Sequence, residues 1–135
     1  MSQQQRTSSA VIVPASAGSG KTFRIAQEYI YDVLRNRFRE DGTPYFDDKF
    51  YKRILAVTFT NKATEEMKSR ILKEIHILAS GEKSDHLDKL MEKTSLSEEE
   101  LRRRALIVRS NILHDYSHFT VLTNDTFFQR ILRAF

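Results

Sequence analysis

Ala15-Ser16-Ala17-Gly18-Ser19-Gly20-Lys21-Thr22 follows an apolar run, Ala10-Val11-Ile12-Val13, and opens an amphipathic segment at Phe23. Strand, glycine-rich turn and helix in that order are what a phosphate-binding loop needs. The glycines let the backbone curl so that successive N–H groups point inward around an anion. The positive end of the following helix faces the same anion. Lys21 then reaches the β- and γ-phosphates, and the Thr22 hydroxyl ligates Mg²⁺. Ala15 stands where the first glycine of the pattern is expected, which a residue with negative φ can accommodate. The stretch predicts a nucleoside-triphosphate site over Ala15, Ser16, Ala17, Gly18, Ser19, Gly20, Lys21 and Thr22.

The 135 residues around it suffice for one domain with a real core, and 40% hydrophobic with 30% charged residues reads as a soluble globular chain. No apolar run reaches the roughly 20 residues that span a bilayer. Met1 to Ser9 is polar, lacks the apolar core of a signal peptide, and reads as a disordered N-terminus. The absence of cysteine excludes disulfides and thiolate zinc sites and fits a cytoplasmic protein. A net charge of +4 suits a polyanionic partner without establishing one.

Past the loop, Ala26, Tyr29, Ile30, Val33 and Leu34 recur at helical spacing, which predicts a helix to about Phe38 packed on a sheet. Arg39 to Lys52, with Gly42 and Pro44, reads as a surface loop. Ile54-Leu55-Ala56-Val57-Thr58-Phe59 is a continuous apolar run, the pattern of a strand buried on both faces. A second helix begins at Asn61 with the stripe Met67, Ile71, Ile75 and Leu78, and Gly81 is placed to end it. A short helix is expected around Leu87 to Met91. Ser97 with Glu100 forms a capping box for a third long helix, carried by Leu101, Ala105, Val108 and Ile112 to about His114. Phe119 to Thr123 reads as another strand, and Asn124 or Asp125 could cap a last helix. Strands alternating with helices imply an α/β fold with a parallel sheet.

Thr58-Phe59-Thr60-Asn61-Lys62 lies where a buried strand ends and a helix begins, the edge at which open α/β sheets present ligand-binding residues. A ring, hydrogen-bond donors and a charge are the parts of a single-stranded nucleic-acid groove. The phosphate-binding stretch, then Ala56-Val57-Thr58-Phe59-Thr60-Asn61-Lys62-Ala63-Thr64-Glu65-Glu66-Met67, then Val121-Leu122-Thr123-Asn124-Asp125-Thr126-Phe127-Phe128 with Ile131-Leu132-Arg133, together resemble the first motifs of UvrD/RecB-like superfamily 1 helicases, in family order. The short lead before the loop is most similar to the RecB/AddA helicase-nuclease branch.

That resemblance implies a P-loop NTPase (RecA-like) parallel sheet flanked by helices, with ATP and Mg²⁺ as cofactors. It implies a motor moving 3′ to 5′ on single-stranded DNA in repair and recombination. Its partners, beside the DNA, would be the rest of the helicase and a helicase-nuclease partner subunit. By position, Lys21 and Thr22 hold phosphate and Mg²⁺; Thr58, Phe59, Thr60, Asn61 and Lys62 touch the strand; Thr123, Asp125 and Phe127 make the next contacts. Departures are Asn124, where the family has an apolar residue, and the lack of a glutamine at the usual distance before the loop to read adenine. Residues 10–135 therefore read as the N-terminal part of the ATP-binding domain, truncated before the family's Asp-Glu pair and its arginines.

Two other clusters read as structural. His114 and His118, at i and i+4, have zinc-site spacing but no convincing third ligand, and complement a helix terminus. Arg102-Arg103-Arg104 with Arg109 reads as a solvated outer helix face. The alternatives are a small P-loop nucleotide kinase, which leaves Thr58 to Met67 unexplained, and a non-catalytic nucleotide- or DNA-binding module.

Overall fold

The computed structural model describes residues 9–12, 19–58, 60–119 and 121–123. Strand β1 (Ser9–Ile12) leads toward helix α1 (Ser19–Leu34). The expected stripe Ala26, Tyr29, Ile30, Val33 and Leu34 is buried along α1. The helix stops before Phe38, however, because Arg37–Phe38 (β2) pairs antiparallel with Pro44–Tyr45 (β3) about Gly42, whose φ of 88° is open to glycine. The loop expected over Arg39 to Lys52 is corrected further by a 3₁₀ turn, Phe50–Arg53, that buries Phe50 and Tyr51 among the helices. The Tyr51 hydroxyl donates to the Asn111 carbonyl at 3.1 Å, which satisfies its polar end. Flanking charges hid two aromatic anchors.

Strand β4 (Ile54–Thr58) runs into α2 (Asn61–Ala79), where Met67, Ile71, Ile75 and Leu78 are buried as the spacing predicts. Gly81, at φ 83°, closes α2: its N–H bonds Leu78 O at 3.3 Å and that of Glu82 bonds Ile77 O at 3.1 Å. This is the paired closure that satisfies a helix's last carbonyls. Helix α3 (Leu87–Thr94) and α4 (Glu98–His114) follow, and β5 (Val121–Thr123) comes after a 3₁₀ turn at Tyr116–His118. Ser97 caps α4, its Oγ accepting from the Glu100 N–H at 3.1 Å. Ser97→Ala should cost about 1 kcal/mol and lower the melting temperature by a few degrees in a calorimetric scan. An unchanged transition would show the cap to be dispensable. The helix expected after Asn124 lies outside the described residues, as do residues 1–8.

The expected architecture, a RecA-like parallel sheet flanked by helices, is corrected: among the described residues the chain is mainly helical. Among the described residues parallel pairing joins three short strands in the order β1-β4-β5, and β2-β3 form a separate two-stranded antiparallel ribbon. The dominant packing is helix on helix, α2 against α4, and among the described residues α1 meets α2, α4 and α3. Helices of 16, 19 and 17 residues carry continuous apolar stripes, whereas the strands are too short to cover them.

The arginine run is corrected too. Arg103 is exposed and pairs with Glu100 at 2.7 Å, while Arg109 is half-buried with its Nη1 3.0 Å from His76 Nδ1. Arg102 Nη1 donates to Leu78 O at 2.9 Å. Arg104 is buried, donates to Leu34 O at 2.9 Å, pairs with Glu100 at 2.7 Å and covers the Phe46 ring at 4.7 Å.

Candidate nucleotide and nucleic-acid site

In the three-stranded ladder β4 is central, parallel to β1 on one side and to β5 on the other. The register pairs Ile12 with Val57 and Thr58 with Thr123. Parallel pairing in that register puts the carboxyl ends of all three strands side by side. Each is the strand that precedes one of the three segments read from the sequence. Thr58 and Thr123, the last residues of β4 and β5, are thus direct neighbours along the backbone.

Of the phosphate-loop residues, Ser19, Gly20, Lys21 and Thr22 form the first turn of α1, with Thr22 half-buried; Ala15, Ser16, Ala17 and Gly18 lie outside the described residues. Thr60 is the N-cap of α2, its Oγ1 accepting from Ala63 N–H at 3.0 Å while its carbonyl accepts from the Thr64 N–H and hydroxyl. The Thr60 hydroxyl is thus engaged in capping the start of α2. Asn61 and Lys62 follow in the first turn and are exposed. Phe59, Asp125 and Phe127 lie outside the described residues.

Neither α1 nor α2 carries an acidic residue in its first turn. Among the described residues the first turns of both helices thus place no carboxylate at the positive dipole end, and Lys62 adds a cation at the second of them. A helix N-terminus without a first-turn carboxylate is a setting in which an anion is favoured.

Both histidines of the i, i+4 pair have local partners. His114 Nδ1 lies 2.7 Å from Ser110 O, and His118 Nδ1 2.7 Å from Asp115. His118 and then Lys52, at 3.1 Å, hold the Asp115 carboxyl below its usual range. Among the described residues no group of three or more His, Cys, Asp or Glu could hold a metal ion. No helix of the described residues is long and apolar enough to cross a membrane.

One contact beside the site was missed by sequence reasoning. Phe23, next to Thr22, stacks on His86, with ring centroids 4.2 Å apart and planes inclined at 19°. His86 sits in the polar stretch between α2 and α3, and nothing in its spacing announces burial.

The chain belongs to the UvrD/REP helicase N-terminal domain family, whose model matches residues 2–135. It is 36% identical over 91 residues to an ATP-dependent helicase/nuclease subunit of Bacillus mycoides, a match covering 64% of this chain and 7% of that protein. It is 34% identical over 112 residues to the RecBCD enzyme subunit RecB of Chlamydia trachomatis, covering 79% of this chain and 10% of that protein. The RecB subunit of Borreliella burgdorferi is 34% identical over 77 residues, 57% of this chain and 6% of that one. The chain thus spans a tenth or less of the length of these relatives. They agree with the UvrD/RecB-like resemblance carried by the motifs.

Proposed function

We propose that this chain is the N-terminal, nucleotide-binding part of an ATP-dependent 3′–5′ DNA helicase or helicase-nuclease of cytoplasmic DNA repair and recombination. The observation that supports this most is the adjacency of three parallel strand ends, each preceding one helicase motif. ATP would be held by the backbone of Ala15 to Gly20 and by Lys21, with Mg²⁺ on Thr22. Mg²⁺ supplies charge neutralisation on the phosphates when bound. Single-stranded DNA would lie along Thr58, Phe59, Asn61 and Lys62, and past Thr123, Asp125 and Phe127. The rest of the helicase and a helicase-nuclease partner subunit would complete the motor.

The test is a titration with a single-stranded oligonucleotide followed by fluorescence anisotropy over a range of salt. Phe59→Ala should weaken binding at every salt concentration by about 1–3 kcal/mol, the worth of one stacked base. Lys62→Ala should flatten the salt dependence by removing one phosphate contact. Arg103→Ala, exposed and paired with Glu100, should do neither. A larger loss from Arg103→Ala than from Phe59→Ala would move the binding surface to α4. Phosphate release with ATP alone, with added DNA, and with a small acceptor separates the motor from a kinase and from a non-catalytic module.

A further inference from the structure

Of the four histidines, His86 alone is sealed from solvent, at 0% exposure, whereas His76, His114 and His118 are exposed. It touches both helices that open at the candidate site. On the α1 side its ring stacks on Phe23, and Nδ1 lies 3.2 Å from Gln27 Oε1. On the α2 side Nε2 faces Glu74 Oε1 at 3.7 Å and makes no hydrogen bond. Glu74 is buried and is also held by Arg70 at 3.3 Å. The His86 N–H donates to Ser84 Oγ at 3.1 Å and its carbonyl accepts from Leu90 N–H at 2.9 Å, which fixes the residue in its connector. Phe23 directly follows Thr22 and Gln27 lies one turn on, so the imidazole bears on the first two turns of α1.

We propose that His86 is a positioning residue: uncharged, it clamps the nucleotide-binding end of α1 to α2, and taking up a proton releases the clamp. This rests on the nucleotide reading of Lys21 and Thr22. The neutral ring donates from Nδ1 to the Gln27 amide oxygen, and its faces suit the apolar stack on Phe23. A proton on Nε2 creates a charge with no water around it, beside the guanidinium of Arg70. Glu74 and, more weakly, Asp85 pull the other way, but Glu74 is already shared with Arg70. Burial is the largest influence and holds the imidazole below the usual histidine range. A group whose folded pKa is depressed stabilises the fold above its unfolded value, about 6.5, and loses that contribution as pH falls from there through the folded value.

The experiment has two readouts on the 135-residue chain. In the first, NMR follows the four imidazole ring protons and the backbone amides of Thr22 and Phe23 against pH, without nucleotide. His86 should titrate below the usual histidine range, and the Thr22 and Phe23 amides should move with its midpoint. Titration of His86 within the usual histidine range, or amides that ignore it, overturns the clamp whether or not nucleotide binds. In the second, affinity for a fluorescent Mg-ADP analogue should fall about fivefold from about pH 7.5 to about pH 5.5. In His86→Phe, which keeps a ring on Phe23 and cannot take a proton, that slope should vanish. The same slope in His86→Phe overturns the proposal. A wild-type chain that binds no Mg-nucleotide at any pH overturns the nucleotide reading instead, while the amide titration still decides the clamp.

Discussion

Lys21→Ala is expected to reduce Mg-nucleotide affinity roughly a hundredfold, since about 3 kcal/mol of charge-assisted contact to the β- and γ-phosphates goes with the ammonium group. The effect should be confined to binding. Lys21 stands in the first turn of α1, where the helix is held further along by Ala26, Tyr29, Ile30, Val33 and Leu34, all buried. A circular dichroism melt should therefore match the wild type. Isothermal titration with a non-hydrolysable ATP analogue measures the loss, and if Thr22 holds Mg²⁺ as proposed, chelating the ion should weaken the wild-type complex as well. Lys21→Ala with wild-type affinity would show that the phosphates are held elsewhere. A matched loss of helicity would show a folding effect.

The elements most legible in the sequence were those whose burial follows one period. The stripes of α1, α2 and α4 were read to the residue, because a buried helix face repeats every three to four positions whatever it packs against. Gly81 and Ser97 were legible for a different reason: a positive φ and a side-chain cap are local requirements. What the stripes pack on was not legible. The same face of α1 would serve a sheet or a helix, and here it meets α2, α3 and α4. Phe50 and Tyr51 were lost among charges because a 3₁₀ turn has neither helical nor strand period. At the site, the strand ends before the second and third motifs were located by their apolar runs. His86 was invisible, since its partners Phe23, Gln27 and Glu74 are distant in sequence and meet only in the fold.

Arg104 shows how far a charge run can mislead, and its replacement carries the largest stability effect expected among the surface-like residues. In sequence it is one of three arginines on an amphipathic helix. In the fold it reaches from α4 to the last carbonyl of α1, Leu34 O, at 2.9 Å. A helix's final carbonyls have no partner within it, and a cation is favoured at that end, so Arg104 acts as a C-terminal cap supplied by another helix. It also pairs with Glu100 and covers Phe46. Arg104→Ala leaves the buried Leu34 carbonyl without its donor, takes one of the two arginines from Glu100 and removes the packing over the ring, for a cost of about 3 kcal/mol. Arg103→Ala breaks only an exposed pair and should cost under about 1 kcal/mol. Denaturant unfolding at neutral pH separates the two. Acid supplies a second check. Hydrogen bonds from Arg103 and then Arg104 hold the Glu100 carboxyl at about 2, against an ordinary 4.5. Its contribution is therefore present above about pH 4.5 and lost as pH falls from there toward 2. Removing either arginine should shrink that acid-sensitive part, whereas only Arg104→Ala should lower stability substantially at neutral pH. Equal neutral-pH losses from the two variants would mean that the Leu34 carbonyl finds another donor, and that α1 does not depend on α4 for its cap.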